Sequence, residues 1–291
     1  YLFQEGLSSA YQRYQAKELD LTWIPVEQIP HIQKNTPNAL IVVPRLTTEF
    51  YTFNVAKPPF DNEKVRKALY LTLDRPLIAE HIIGLRKPAA TLTPPEVDDF
   101  SAPNIAELNR PLTDRVKQAK KLLNDAGYNK KHPLQFEIFY NKYATHEKVA
   151  LALASEWKKQ LGADVKLRTM EWKTYLGERN IGNFQLSRMS IDAEYNEPSA
   201  FLNSLVSTSP ENVGHWKNEK FDQIMKEAQT TLNDKARAAL YRQAELIIAE
   251  EAPLIPIFYS PLIKVLNPAV GGFPMHNPQD YVYTKELYIR K

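Results

Sequence analysis

Arg179-Asn180-Ile181-Gly182-Asn183-Phe184-Gln185-Leu186-Ser187-Arg188-Met189-Ser190-Ile191-Asp192-Ala193-Glu194-Tyr195-Asn196-Glu197-Pro198 is the stretch on which the reading of this 291-residue chain turns. Its middle has the two-residue alternation of a strand, with Leu186, Arg188 and Ser190 on one face and Ser187, Met189 and Ile191 on the other. Asp192, Glu194 and Glu197 follow directly, and Pro198 opens a predicted helix. Two arginines and three acids beside extended backbone suit a site holding a ligand that carries both charges. The same residues also fit a paired-carboxylate catalytic centre or a strand end whose charges face water, with Glu197 favouring the positive end of the helix that follows.

Strands and helices alternate on the N-terminal side of this stretch. Thr113 to Ala126 reads as a helix capped by Thr113, with Val116, Ala119, Leu122 and Leu123 on one face and Gly127 as its stop. Leu134 to Tyr140 is a strand, His146 to Leu161 a helix stopped by Gly162, Val165 to Thr169 a strand, and Trp172 to Arg179 a helix leading into the strand Phe184 to Ile191. Such alternation predicts an α/β layer with parallel strands. Further upstream, Ser8 to Lys17 reads as a helix, Leu19 to Trp23 and Ala39 to Val43 as strands, and Glu49 to Val55 as an aromatic extended segment. Asp61 is placed to cap a helix carrying Val65, Ala68 and Leu69. Lys87 to Pro111, rich in proline and short polar residues, reads as a long surface loop. Downstream, Pro198 to Val206, Glu219 to Thr230 and Asp234 to Glu251 are predicted helices, and Ile255 to Tyr259 is extended.

Composition narrows the function classes. With 43% hydrophobic and 24% charged residues the chain can bury a sizeable core as one large or two ordinary domains. Its 37 basic and 34 acidic residues are mixed along the sequence, which argues against nucleic acid as a partner. No apolar run approaches the roughly 20 residues that span a bilayer. The first residue is Tyr1 and no signal segment opens the chain, so the native start is expected to lie upstream. Zero cysteines remove disulfides, thiolate metal sites and cysteine nucleophiles, which suits cytoplasm and periplasm equally. Nine glycines form neither phosphate-binding fingerprint, and Gly6-Leu7-Ser8-Ser9-Ala10 lacks the spacing of a nucleophile elbow. The six histidines never stand four apart, so no metal and no cofactor is expected.

Glu194-Tyr195-Asn196-Glu197-Pro198, followed by Phe201-Leu202-Asn203, resembles the oligopeptide-binding proteins that feed bacterial ABC importers, the peptide and nickel family of extracellular solute-binding proteins. Lys57-Pro58-Pro59-Phe60-Asp61, Val65-Arg66-Lys67-Ala68-Leu69, Asp74-Arg75, Leu122-Leu123 with Ala126-Gly127-Tyr128, Glu171-Trp172-Lys173-Thr174 and the strand from Pro253 to Tyr259 agree in the same order. The resemblance covers only the C-terminal part of such a protein. It implies a two-lobe periplasmic-binding-protein architecture (type II, cluster C), with residues 1–46 belonging to lobe I, 47–254 forming lobe II and 255–291 returning to lobe I.

By the same resemblance the chain is a non-enzymatic, monomeric, periplasmic or lipid-anchored subunit that captures oligopeptides, murein-derived ones included, for the permease subunits of an ABC transporter. Glu194 stands where the family holds the peptide amine, usually with aspartate. Arg179, Arg188 and His146 match positions that meet the peptide carboxylate. The backbone of Ser190, Ile191 and Asp192 pairs with the ligand, Trp172 walls a side-chain pocket, and Trp23, Arg45 and Phe50 line the cleft. Some relatives carry a cysteine pair at positions matching Thr47 and Asp192, which is absent here. An aromatic residue often stands where this chain has Ile191, and close relatives have one in place of Arg45. Two other readings go with it: the binding lobe as the sensor of a transcription regulator, and a non-peptide cargo.

Overall fold

The computed structural model describes residues 6–275 and 277–290. Its contacts separate a unit of Tyr1–Leu46 and Ser260–Lys291 from a larger unit of Thr47–Tyr259. In the first, helix α1 (Leu7–Gln15) precedes strand β1 (Leu21–Trp23), and helix α2 (Ile29–Asn35), with proline in its first turn, precedes β2 (Leu40–Val43).

The larger unit starts with β3 (Thr47–Phe53), α3 (Glu63–Leu71), the short β4 (Lys87–Pro88) and α4 (Leu112–Asp125). The predicted alternation follows: β5 (Gln135–Asn141), α5 (Ala144–Leu161), β6 (Asp164–Met170), α6 (Trp172–Asn180) and β7 (Leu186–Asp192). A single turn, α7 (Ser199–Leu202), and two longer helices, α8 (Glu219–Thr230) and α9 (Asp234–Glu251), lead to β8 (Leu254–Tyr259). The chain then returns to the smaller unit, where β9 (Leu262–Leu266) lies antiparallel between β1 and β2. Every residue of β8 is buried and most pair with β3, so the chain leaves the larger unit after Tyr259 rather than after Leu254.

The six strands of the larger unit are ordered β4-β8-β3-β7-β5-β6. β5 runs parallel to β6 and to β7, as the alternation predicts for that section, whereas β3 is antiparallel to both its neighbours, β7 and β8. Phe53, Phe60, Phe136 and Trp157 form one buried aromatic chain with centroid spacings of 4.6, 5.2 and 5.5 Å, and the Trp157 indole N–H donates to the Leu69 carbonyl at 3.1 Å. α3 and α5 are thereby pinned to one face of the sheet.

Local signals were mostly where the sequence put them. Gly162 ends α5 with φ 72°, a backbone conformation that costs glycine little. The cap of α3 is Asn62, whose side-chain oxygen accepts the Lys64 N–H at 3.0 Å, rather than Asp61; α4 starts at Leu112, which takes Thr113 inside the helix. The segment read as a surface loop is in part interior. Ala89, Leu92 and Thr93 are fully buried, and the buried Glu245 carboxylate accepts the N–H groups of Leu92 at 3.0 Å and Thr93 at 2.7 Å. Backbone donors that water would have served in a surface loop are met here by α9.

Candidate functional site

β7 has a complete partner on one side and an incomplete one on the other. β3 pairs with it from Thr47↔Asp192 to Phe53↔Leu186, while β5 reaches only Leu186 and Ser187 before the chain turns into α5. Beyond Ser187 the Tyr175 hydroxyl, from α6, donates to the Arg188 carbonyl. Backbone groups alternate in direction along a strand, so those of Ser190 face the same side as the Arg188 carbonyl, away from β3. Among the described residues no strand lies along that edge, and an extended ligand can add there through main-chain hydrogen bonds.

The alternation also sorts side chains into two environments. Glu49, Tyr51, Arg188 and Ser190 share one face of β3 and β7; Phe50, Thr52, Met189 and Ile191 share the other. A cavity of about 650 Å³ opens on the second face, walled also by Leu176 and Arg179 of α6, by Glu194 and Tyr195, and by residues 203–205 and 210–214. The last wall approaches β3 closely because residue 214 is glycine: a Cβ there would stand 2.6 Å from the Phe53 carbonyl oxygen.

Arg179 lies in the last turn of α6 and is buried to 7% exposure, with no hydrogen-bond partner for its Nε. Burial lowers its pKa; Tyr175 and Glu211 oppose the shift, and the nearby Arg188 charge adds to it. A cation held this way, lining a cavity, is poised to take an anion.

Arg188 is placed differently. Its Nε donates to Glu49 Oε1 at 2.5 Å and its Nη2 to Glu49 Oε2, a bidentate pair in which both side chains are buried, so its charge is already met inside the protein. His146 sits in the first turn of α5 with Nδ1 3.4 Å from the Asn141 carbonyl. Burial and then the Arg188 charge lower its pKa to about 3, so its ring is a neutral imidazole, and it is not among the residues that line the cavity.

His146 gives a prediction with a definite sign. Its folded pKa lies below the ordinary 6.5, so its contribution to stability is complete above that value and is lost as pH falls from 6.5 towards 3. Urea midpoints measured at pH 7 and pH 4.5 should fall less on acidification in His146→Ala than in the wild type; equal falls would show that the ring titrates normally.

The remaining expected residues separate by unit. Ser190, Ile191, Asp192, Glu194 and Phe50 all line the cavity. Asp192 also accepts a hydrogen bond from the Thr47 hydroxyl, directly across the β3–β7 pair. Trp172 is 45% exposed and stacks on Tyr175 with centroids 6.0 Å apart, outside the cavity lining. In the smaller unit Trp23 carries Lys264 Nζ 4.6 Å and Arg45 Cζ 5.8 Å from its ring centroid, and Lys264 is paired with Asp280 at 2.9 Å. Among the described residues, which exclude His276, no three His, Asp or Glu side chains converge as a metal site. No described helix is long and apolar enough to cross a membrane.

Sequence reasoning missed Glu49, Asn203, Asn212 and Gly214 as parts of the site. In the sequence Asn203 stands only as the end of the Phe201-Leu202-Asn203 motif, and a lone asparagine in a loop ordinarily signals a turn.

A sequence model of the bacterial extracellular solute-binding proteins, family 5 (middle), matches residues 4–212. The chain belongs to that family. Among family 5 proteins it is 59% identical over its full length to the probable deoxycholate-binding periplasmic protein YgiS of Escherichia coli K12, covering 54% of that protein. It is 40% identical over 98% of its length to the periplasmic murein peptide-binding protein MppA of the same organism, covering 53%. Two solved family structures superpose on most of the chain: the E. coli murein tripeptide binding protein MppA, at TM-score 0.91 and 38% identity over 97% of this chain and 56% of that one, and Haemophilus influenzae OppA in complex with the peptide RPPGFSPFR, at TM-score 0.89 and 36% identity over 98% and 57%. The chain thus spans about half the length of these family members, and the fold is that of the two-lobe periplasmic binding proteins.

Proposed function

We propose that this chain supplies the second lobe and part of the first lobe of a periplasmic solute-binding protein, which captures a carboxylate-bearing solute and delivers it to the permease subunits of an ABC importer without chemical change. Residues 47–259 form the second lobe in this reading, and 1–46 with 260–291 belong to the first. The observation that carries it is Arg179: a buried cation without a partner at its Nε, lining a cavity beside the open edge of β7. Glu194 lines the same cavity and offers an acid for an amine at the far end of the ligand.

An oligopeptide is the first cargo. The open edge at Ser190 supports it, as do the murein peptide-binding and oligopeptide-binding relatives. Main-chain pairing along such an edge is indifferent to ligand sequence, and charge-assisted bonds at the ends set the register. A second reading, a deoxycholate-like acid, is favoured by the 59% identity to the relative named for deoxycholate and by the cavity, whose Phe50, Met189 and Ile191 wall is apolar.

Calorimetry on the full-length protein, with tri-alanine and deoxycholate as probes, tests the reading. Binding of at least one is expected, and an amide in place of its carboxylate should abolish most of the affinity. No binding of either, or binding indifferent to the carboxylate, overturns it. Native mass spectrometry of protein purified without denaturation identifies the cargo directly.

A further inference from the structure

Glu194 stands on a segment that the hydrophobic core does not hold. Between the end of β7 and α7 the backbone is irregular, and none of residues 193–197 is buried. A cavity lies on either side. Tyr195 lines the 650 Å³ cavity beside β7 and also a second one of about 310 Å³, whose wall includes Asp98, Asn196, Glu197, Arg237 and Tyr241. A segment with open space on two sides has few packing contacts to fix it, so its conformation depends on its polar ones.

Two polar clasps hold it. In the first, Asn196 and Asp98, 98 residues apart, bond reciprocally: the Asp98 N–H donates to Asn196 Oδ1 at 3.0 Å, and Asn196 Nδ2 donates to Asp98 Oδ2 at 2.8 Å. In the second, Glu197 Oε1 accepts from Arg237 Nε at 2.7 Å and from the Tyr241 hydroxyl at 3.2 Å, both on α9, while its Oε2 accepts from the Ser199 hydroxyl at 3.0 Å. Arg237 is fixed in turn, its Nη1 donating to the Thr231 carbonyl at 3.0 Å and its Nη2 to Asp234 Oδ1 at 2.8 Å. All three guanidinium nitrogens therefore have an acceptor, and the planar fork ties Glu197 to the first turn of α9. Neither clasp is a core interaction. The Arg237 and Glu197 side chains are 28% and 32% exposed, and ion pairs so placed contribute little to stability.

We propose that Arg237 and Asn196 are positioning residues for amine recognition: through Glu197 and Asp98 they hold the segment so that the Glu194 carboxylate meets the terminal amine of the cargo. The inference rests on the reading of the cavity beside β7 as the cargo site, with a peptide as cargo. It adds that preference for a free amine is set partly from α9, across the segment from the cargo. A charge-assisted hydrogen bond is short, about 2.7–2.9 Å between heavy atoms, and tolerates little displacement. Release of a clasp therefore weakens the amine bond and leaves the carboxylate bond to Arg179, which is made from α6, as it was.

Calorimetry on the full-length protein with tri-alanine, N-acetyl-tri-alanine and tri-alaninamide tests this. The wild type is expected to bind tri-alanine at least about tenfold more tightly than the acetylated peptide. Arg237→Met and Asn196→Ala, each opening one clasp, should cut that ratio by about threefold or more. The ratio of tri-alanine to its amide should stay as in the wild type, and the urea midpoint should move little. Unaltered ratios in both variants overturn the inference, as does equal wild-type affinity for tri-alanine and its acetylated form; either result leaves a carboxylate-specific importer component standing. An equal loss of affinity for all three probes makes the clasps merely structural and also overturns it. If tri-alanine does not bind, the inference falls, and the functional reading then stands or falls on deoxycholate.

Discussion

Replacing Arg179 with methionine should weaken binding of carboxylate-bearing cargo by roughly 10- to 150-fold, because a hydrogen bond to a charged group contributes about 1.5–3 kcal/mol. The same change should leave the unfolding midpoint of the empty protein unchanged or higher. Arg179 is 7% exposed with an unpartnered Nε, and burying a cation without full compensation costs stability that a methionine of similar length does not. Affinity and stability therefore move in opposite directions, which a purely structural arginine would not produce. Calorimetry and urea unfolding on the same full-length variant read both quantities; unaltered affinity, or lowered stability with unaltered affinity, would remove Arg179 from the site.

Glu49→Ala should have the opposite profile. The carboxylate is the bidentate partner of Arg188 in a pair whose side chains are 5% and 8% exposed, and its loss leaves a guanidinium buried without its counter-charge. Removal of one member of a buried pair costs about 3–5 kcal/mol, or around 10 °C in unfolding temperature for a unit of this size. The double change Glu49→Leu with Arg188→Met should recover most of that loss, since an apolar replacement of a whole buried pair is often neutral or stabilising. A loss below about 0.5 kcal/mol for Glu49→Ala would mean that water reaches the pair freely. Arg188→Met alone should likewise destabilise, for then Glu49 is the orphan. An affinity loss in that variant must accordingly be read against its stability before it is ascribed to ligand contact.

These two arginines show where the sequence was legible and where it was not. Both were singled out by their place in one polar stretch, and nothing local distinguished them. What separates them is Glu49, 139 residues from Arg188 and brought opposite Ser190 only when β3 and β7 align. Register between distant strands is set by tertiary packing, so a charge that is open in the sequence can be closed in the fold. His146 tells the same story: its neutrality comes from burial next to Arg188, which the α5 periodicity does not encode.

Elements governed by neighbours a few residues away were read well. Gly162 stops α5, Asn141 to Leu161 turns from strand to helix within a few residues, and the strands between Gln135 and Asp192 follow from alternation. The parallel arrangement was legible for β5, β6 and β7 because helices connect them in sequence. The antiparallel half was not, since β8 reaches β3 from the far end of the chain. Lys87–Pro111 misled for a chemical reason: proline and short polar residues signal irregular backbone, and irregular backbone is ordinarily at the surface, but Glu245 supplies the acceptors that let part of this segment go inside.

The Thr47–Asp192 hydrogen bond has a bearing on how the protein can be made and deployed. A disulfide at matching positions would tie the register of β3 and β7 to the thiol-oxidising machinery of the compartment in which the chain folds. With a hydroxyl and a carboxylate there, and no cysteine anywhere in the sequence, the larger unit reaches the same strand alignment in a reducing environment as in an oxidising one. The alignment of β3 and β7 in this unit should accordingly be indifferent to added reductant.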